Sequence, residues 1–187
     1  MPLKLHVIIA STRPGRVGKP VGDWFYAQAR EQGEFDVSLV DLADFNLPIY
    51  DEPNHPRMQK YQHEHTRAWS RSVAAADAFV LVTPEYNYGP TPALLNALDY
   101  LYLEWNYKPA AFVSYGGISG GMRAVEMTKG TLTTLKIVPI PEAIVIPNVP
   151  QFLKDGAFVP NEYHVADAGN VLKELHRWAG ALKPLRG

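Results

Sequence analysis

Cysteine is absent from this sequence, and there is little net charge and no long apolar run. Without cysteine there is no disulfide framework, no thiolate zinc site, no iron–sulfur cluster and no thiol nucleophile. The 18 basic and 19 acidic side chains leave a formal net charge of −1, which argues against a nucleic-acid-binding protein with its basic stripe. No run approaches the ~18 apolar residues of a membrane span, and the apolar run near the start is too short for a signal peptide. We therefore expect a cytoplasmic protein without membrane insertion.

The remaining composition is that of a globular chain. Hydrophobic residues make up 47% and charged residues 20% of the 187 residues, so disorder is not expected. At roughly 150 residues per domain, this length predicts a single domain over residues 1–187.

Short apolar segments alternate with segments of helical periodicity. Strands are predicted at 3–10, 35–41, 78–83, 110–115 and 143–146. Helices are predicted at 19–32, up to about 76, 91–103, 122–135 and 162–182. Strands that are apolar on both faces indicate a parallel sheet covered by helices. Right-handed crossovers then predict a three-layer α/β sandwich, and five strands favour the flavodoxin-like order 2-1-3-4-5. Ligands of such sheets bind beyond the carboxyl ends of the strands.

The first loop at that edge, residues 11–20, is rich in groups that bind phosphate. It lies between a buried strand and the start of a helix, where free backbone N–H groups favour an anion. Two hydroxyls, two arginines and a lysine add donors, and we expect Ser11 and Arg13 to make direct contacts. Arg16 faces either the ligand or the solvent. The alternative is a solvated basic turn, and the loop matches neither the P-loop nor the dinucleotide-binding motif.

The second loop, residues 83–92, is stiffened by prolines and a glycine. Tyr86 and Asn87 offer a ring and an amide, which suits one edge of a planar heterocycle. Glu85 has two interpretations, a general acid or base and a structural hydrogen-bond acceptor. We favour the second, because no partner for acid–base chemistry is evident.

The third loop, residues 114–121, contains four glycines that permit close approach of the backbone to a ligand. A competing interpretation is a nucleophile elbow, because residues 117–121 fit the pattern G-x-S-x-G with Ser119 at its centre. A serine hydrolase would also need a downstream acid and histidine. The residues available are Asp155, His164, Asp167 and His176.

Two other groups of residues lie outside these loops. His63 and His65 resemble a metal pair, but residues two apart on a helix point to different faces, so we predict no metal site. An aromatic group has two interpretations, core packing and contact with a partner chain. It consists of Tyr100, Tyr102, Trp105 and Tyr107.

In order and spacing, the three loops resemble those of the NADPH-dependent FMN reductase family, which has a flavodoxin-like fold. The motifs are Ser11-Thr12-Arg13 with Gly18, Pro84-Glu85-Tyr86-Asn87, Tyr115-Gly116-Gly117, Ser119-Gly120-Gly121 and Asn96-Ala97-Leu98-Asp99. The resemblance implies that the first loop holds the FMN phosphate, the second lines the isoalloxazine ring near N5, and the third follows its pyrimidine edge. The implied cofactor-binding residues are Ser11, Arg13, Val17, Gly18, Lys19, Pro20, Pro84, Glu85, Tyr86, Asn87, Tyr115, Gly116, Gly117 and Ser119.

The resemblance further implies an NAD(P)H oxidoreductase in which FMN, not a side chain, carries the chemistry. Hydride would pass from NADPH or NADH to FMN N5 and then to a quinone, flavin, azo or metal-oxyanion acceptor, in ping-pong order. The resemblance also implies a homodimer or a dimer of dimers. Separately, the charge of Arg16 and its place in the first loop suggest the hypothesis that it contacts the 2′-phosphate of NADPH. The main alternative is a flavodoxin-type electron carrier, although such carriers are typically strongly acidic.

Overall fold

The computed structural model describes residues 2–186, and its centre is a five-stranded parallel sheet. The strands are β1 (Leu3–Ile9), β2 (Phe35–Asp41), β3 (Ala78–Pro84), β4 (Pro109–Tyr115) and β5 (Val138–Ile146). They lie in the order β2-β1-β3-β4-β5, and each neighbouring pair is parallel. The predicted fold class and strand order are confirmed. Met1 and Gly187 lie outside the described residues, and the single domain over residues 1–187 stays a prediction.

Helices cover both faces of this sheet because its strands bury side chains on both sides. The helices are α1 (Gly18–Gln32), α2 (Leu42–Phe45), α3 (Glu64–Ala75), α4 (Pro92–Asp99), α5 (Met122–Thr134) and α6 (Glu162–Leu182). In β3, Val80 and Val82 belong to the hydrophobic cluster under α1 and α6. Phe79 and Leu81 point the other way, into the cluster under α3, α4 and α5. This alternation follows from the two-residue period of a strand.

Helix α4 is shorter than the sequence predicts. The periodicity predicts a helix over 91–103, but α4 ends at Asp99 and a separate 3₁₀ turn follows at Leu103–Trp105. Two buried indole N–H groups account for the early end, because they donate to carbonyls of the last turn. Trp69 Nε1 lies 2.8 Å from the oxygen of Ala97, and Trp105 Nε1 lies 3.2 Å from the oxygen of Leu98.

Strand β5 is longer than the predicted segment 143–146, because it begins at Val138. Pro139 and Pro141 fit within β5 because it is an edge strand, where proline costs few ladder hydrogen bonds. A small hairpin between β6 (Leu153–Lys154) and β7 (Ala157–Phe158) and the short helix α2 were also not predicted.

His63 and His65 do not lie on different faces of one helix, contrary to the prediction. His63 precedes α3 with an extended backbone, so the two residues do not share a helical repeat. Their rings stack with centroids 5.1 Å apart, and His65 Nε2 lies 3.0 Å from Oδ1 of Asp51. Within residues 2–186, however, no group of three or more metal-ligating side chains is arranged to hold a metal ion. The described helices also include none long and apolar enough to cross a membrane.

Candidate functional site

A cavity of about 510 Å³ opens at the carboxyl edge of the sheet, where four loops meet. Its lining residues are Ser11, Arg13, Arg16, Val17, Pro84, Glu85, Tyr86, Tyr115, Gly116, Gly117, Asn148, Val149, Pro150 and Gln151. The three loops singled out in the sequence therefore do come together, because parallel strands end at one edge. The predicted site residues that do not line the cavity are Gly18, Lys19, Pro20, Asn87 and Ser119.

The first loop contacts the second through hydroxyl groups and a cation. Ser11 is buried, and its Oγ lies 2.9 Å from the hydroxyl of Tyr86. The guanidinium of Arg13 lies 6.0 Å from the centre of the same tyrosine ring. Arg13 is exposed, so its charge is available to a ligand.

The other two cations of this loop are already paired. Arg16 lines the cavity, but its guanidinium forms a salt bridge with Asp41 at the end of β2. Lys19 lies outside the cavity and donates to Asp23 one helical turn later, at 2.5 and 2.7 Å from the two carboxylate oxygens. Arg13 is thus the stronger candidate for contact with an anion, and Arg16 anchors the loop to β2.

The start of α1 and the buried Tyr115 meet below this loop. Among the described residues no side chain caps α1, α3 or α5, whereas Thr91 caps α4 and Asn161 caps α6. A Cβ atom added to Gly18 would lie 2.6 Å from the hydroxyl of Tyr115, so Gly18 is required by close packing and not by contact with the cavity.

Tyr115 lines the cavity, and its side chain reaches the start of α1. Its side chain is 4% exposed, and its hydroxyl forms no hydrogen bond of normal geometry within residues 2–186, although the hydroxyl of Ser11 lies near it. Burial raises the pKa of this hydroxyl well above its usual value, so it stays a neutral donor. The hydroxyl of Tyr115 lies beside Gly18 at the first loop, and the place of Tyr115 along the pyrimidine edge of FMN stays a prediction.

The second loop is a tight hairpin whose backbone is only partly available to a ligand. The N–H of Tyr86 donates to the oxygen of Gly89, and the N–H of Gly89 donates back, each at 2.9 Å. Pro84 has no N–H. Of the two N–H groups in the cavity lining here, only that of Glu85 donates to no group of residues 2–186. At the second loop, the cavity lining therefore offers a ligand the N–H group of Glu85.

The third loop is held by a fourth, residues 147–151, which the sequence analysis missed. The N–H groups of Asn148 and Val149 donate to the oxygens of Gly117 and Gly116, at 2.9 and 3.1 Å. Gly116 itself donates to Ile146 at 3.2 Å, so its N–H is not available to a ligand, whereas that of Gly117 remains so. The available signal was position, because this loop follows the last strand at the same edge.

Glu85 joins the second and third loops as a hydrogen-bond acceptor. Its Oε2 accepts from the hydroxyl of Ser119 at 2.8 Å and from the backbone N–H of Arg123 at 3.2 Å, and its Oε1 accepts from Arg123 Nε at 2.7 Å. Burial alone would raise the pKa of Glu85, but these hydrogen bonds and the guanidinium charge outweigh it and lower the pKa. The carboxylate stays ionised, which favours the structural interpretation over acid–base catalysis.

Ser119 lacks the histidine that a nucleophilic serine requires. Its hydroxyl donates to Glu85. His164 Nδ1 accepts from the backbone N–H of Asn161, and His176 packs on Phe35 at the opposite edge of the sheet. The nucleophile-elbow pattern therefore does not form a catalytic pair.

A doubly wound parallel sheet with a cavity at its carboxyl edge defines a flavodoxin-like α/β protein. Solved structures agree: the flavoenzyme NAD(P)H:(acceptor) oxidoreductase FerB from Paracoccus denitrificans superposes with a TM-score of 0.74 at 20% identity, over 96% of this chain and 98% of that one. This likeness shows the fold.

Sequence comparisons identify the family. The family model of NADPH-dependent FMN reductases matches residues 3–151. An NAD(P)H-dependent FMN reductase of Schizosaccharomyces pombe is 40% identical over 147 residues, which cover 77% of this chain and 74% of that protein. An NADPH azoreductase of Bacillus sp. (strain OY1-2) is 31% identical over 159 residues, covering 82% and 83% of the two chains. The chain belongs to the NADPH-dependent FMN reductase family.

Proposed function

We propose that this chain is an FMN-dependent NAD(P)H oxidoreductase that reduces small oxidised acceptors such as quinones. Family membership supports an oxidoreductase with FMN and NAD(P)H as cofactors. The observation that carries the proposal is the buried, unpartnered hydroxyl of Tyr115 beside the uncapped start of α1. Unpaired buried polar groups are costly, so a hydroxyl left without a protein partner in a cavity wall fits a ligand oxygen.

The first loop suits the phosphate of FMN. The start of α1 presents backbone N–H groups and the positive end of the helix dipole, and Arg13 adds a guanidinium that forms no salt bridge with residues 2–186. We assign Ser11, Arg13 and the hydroxyl of Tyr115 to the phosphate and its neighbouring oxygens. Arg16 is less available to a 2′-phosphate of NADPH, because its guanidinium already pairs with Asp41.

The second and third loops suit the flavin ring. When bound, FMN supplies hydride transfer between the nicotinamide and the acceptor. The residues of this chain would bind and orient it: Glu85 and Gly117 line the cavity, and their N–H groups donate to no group of residues 2–186, so both are available to the ring, while Tyr86 also lines the cavity. Donors of this kind favour negative charge on a bound ring. The site needs no general acid, consistent with the ionised state of Glu85.

FMN binding is the first test. The wild-type chain, reconstituted with FMN, should be yellow and should oxidise NADPH or NADH with a quinone as acceptor. Arg13→Gln should weaken FMN binding by about tenfold, the size expected for one charge-assisted hydrogen bond. Arg30→Gln is the matched control, because Arg30 lies in the last turn of α1 and packs against Tyr26 away from the cavity. A chain that binds no FMN, or equal loss in both variants, contradicts the proposal.

The order of substrates is a separate test. A site with one exposed flavin face would take NAD(P)H and the acceptor in turn, which gives parallel lines in double-reciprocal plots. Intersecting lines would contradict ping-pong order without affecting FMN binding. Comparing quinone, azo, flavin and chromate acceptors would identify the preferred class.

We also propose self-association near the site, as a homodimer or a dimer of dimers. Four large apolar side chains near the cavity are exposed, which supports this proposal. They are Tyr88, Ile118, Met122 and Met127. Light scattering after gel filtration measures the assembly, and a monomer at micromolar concentration would contradict it. The cytoplasmic location stays a prediction for cell fractionation.

A further inference from the structure

The loop of residues 84–89 has a backbone that its own sequence does not favour. Asn87 and Tyr88 both have positive φ, at 49° and 71°. Asparagine tolerates this region comparatively well, but a tyrosine does not, and hairpins of this kind usually place glycine at the second position. Tyr88 is 65% exposed, so burial does not stabilise its conformation. A contact from outside the hairpin is needed to hold it.

Arg123, in the first turn of α5, supplies that contact. Its guanidinium lies 3.6 Å from the centre of the Tyr88 ring, which is a close cation–π arrangement. The same guanidinium donates to Glu85 through Nε at 2.7 Å and also pairs with it through Nη2. The Arg123 side chain therefore contacts the hairpin at two residues, Tyr88 and Glu85.

Glu85 connects Arg123 to the wall of the cavity. Its side chain is only 7% exposed, and it also accepts from Ser119 in the third loop. Glu85, Gly116 and Gly117 all line the cavity. A shift of the Glu85 carboxylate would thus displace both the second and the third loop. Arg123 does not line the cavity, so it would act on the cavity through Glu85.

We infer that Arg123 is a positioning residue, which acts through Glu85 and Tyr88 to fix the two loops that line the flavin side of the cavity. The inference rests on the proposed function for its cofactor readout. The rival explanation is an ordinary surface ion pair, which contributes little to stability. Lys129 and Glu126 form such a pair on the same helix, at 2.6 Å, and neither residue lines the cavity.

The experiment compares Arg123→Met and Arg123→Lys with the matched control Lys129→Met, which also removes one positive charge from α5. In reconstituted protein, Arg123→Met should weaken FMN binding by about tenfold, a typical coupling between contacting residues. It should also lower the midpoint potential of the flavin, because the charge of Glu85 is left unbalanced beside it. Arg123→Lys should recover part of the lost FMN affinity and part of the lost potential, and Lys129→Met should behave as wild type.

A second background tests whether the effect passes through Glu85. In a Glu85→Gln chain, Arg123→Met should weaken FMN binding much less, because the carboxylate contact through which Arg123 acts is already removed. An equal loss of FMN affinity in the two backgrounds would overturn the inference. So would FMN affinity and potential in Arg123→Met that match those of Lys129→Met.

Amide exchange in the cofactor-free chain separates this inference from the proposed function. The N–H groups of Tyr86 and Gly89, which close the hairpin, should exchange about tenfold faster in Arg123→Met than in Lys129→Met. Equal exchange overturns the inference whether or not FMN binds. Faster exchange in a chain that binds no FMN would retain the positioning of the loop and refute the proposed function alone.

Discussion

The contact between Gly18 and Tyr115 offers the sharpest test of the structure. In Gly18→Ala the new Cβ would lie 2.6 Å from the tyrosine hydroxyl. Because Tyr115 belongs to the core cluster under α1 and α6 and is 4% exposed, it has little room to move. Overpacking of this kind costs about 1–3 kcal/mol. Alanine is favoured over glycine by up to about 1 kcal/mol inside a helix and by less at its first residue, so we expect a net loss of about 1–2 kcal/mol.

Tyr115→Phe provides the internal control. Without the hydroxyl, the nearest ring atom of residue 115 would be Cζ, at 3.5 Å from the Cβ added to Gly18. The Cγ2 atom of Ile9 would lie at 3.4 Å from that Cβ. Both are ordinary contacts. The single substitution removes a hydroxyl without a protein partner, so the cofactor-free chain should lose almost no stability. The double variant should therefore recover most of the loss of Gly18→Ala, with a coupling of about 1 kcal/mol or more.

Urea unfolding of the four cofactor-free proteins measures the coupling, and FMN titration adds a second readout. Tyr115→Phe should weaken FMN binding by roughly 3- to 10-fold, the worth of one hydrogen bond, while its own stability is retained. A Gly18→Ala chain as stable as wild type would refute the packing argument. Unchanged FMN affinity in Tyr115→Phe would refute the assignment of this hydroxyl to the ligand.

Three other predictions concern residues that we do not assign to the FMN phosphate. Burial, helped by nearby lysine charges, lowers the pKa of His6 to about 4 from 6.5. As the pH falls, the unfolded chain takes up this proton before the folded chain does, so the free energy of unfolding should fall by about 2 kcal/mol between pH 7 and pH 4.5. Urea unfolding at each pH measures this loss, and His6→Leu should lack the part of it that is due to this residue. Asn96 accepts from the N–H of Tyr50 at 2.9 Å and donates to the oxygen of Pro48 at 2.6 Å, so Asn96→Ala should lose about 1–3 kcal/mol and become more sensitive to proteases near residues 48–62; unchanged proteolysis would contradict this role. Ser119 should not react with a fluorophosphonate, and labelling that Ser119→Ala abolishes would revive the hydrolase interpretation.

The main features of the fold follow from local sequence patterns. The apolar segment 78–83 predicts a strand buried on both faces, because no side of it is polar, and the structure buries every residue of β3. Alternation of such strands with helices restricts the topology to a few right-handed arrangements. The sequence therefore predicts the sheet, its order and the edge where ligands bind.

The ends of elements depend on contacts between distant residues. Helix α4 stops where Trp69, from α3, donates to its carbonyl, and a helical period does not reveal that donor. Strand β5 accommodates Pro139 and Pro141 because it lies at the sheet edge, which is a property of the assembled sheet.

At the site, local sequence patterns indicate three of the four loops that line the cavity, whereas the availability of their individual groups depends on the folded arrangement. Arg13 and Arg16 are alike as residue types, but Asp41 neutralises only Arg16. For Glu85 the sequence leaves two interpretations, a general acid or base and a structural acceptor, and the hydrogen bonds from Ser119 and Arg123 favour the structural one. The physical reason is that residue type and order specify the donors, acceptors and charges, whereas pairing between them depends on distances that only folding creates.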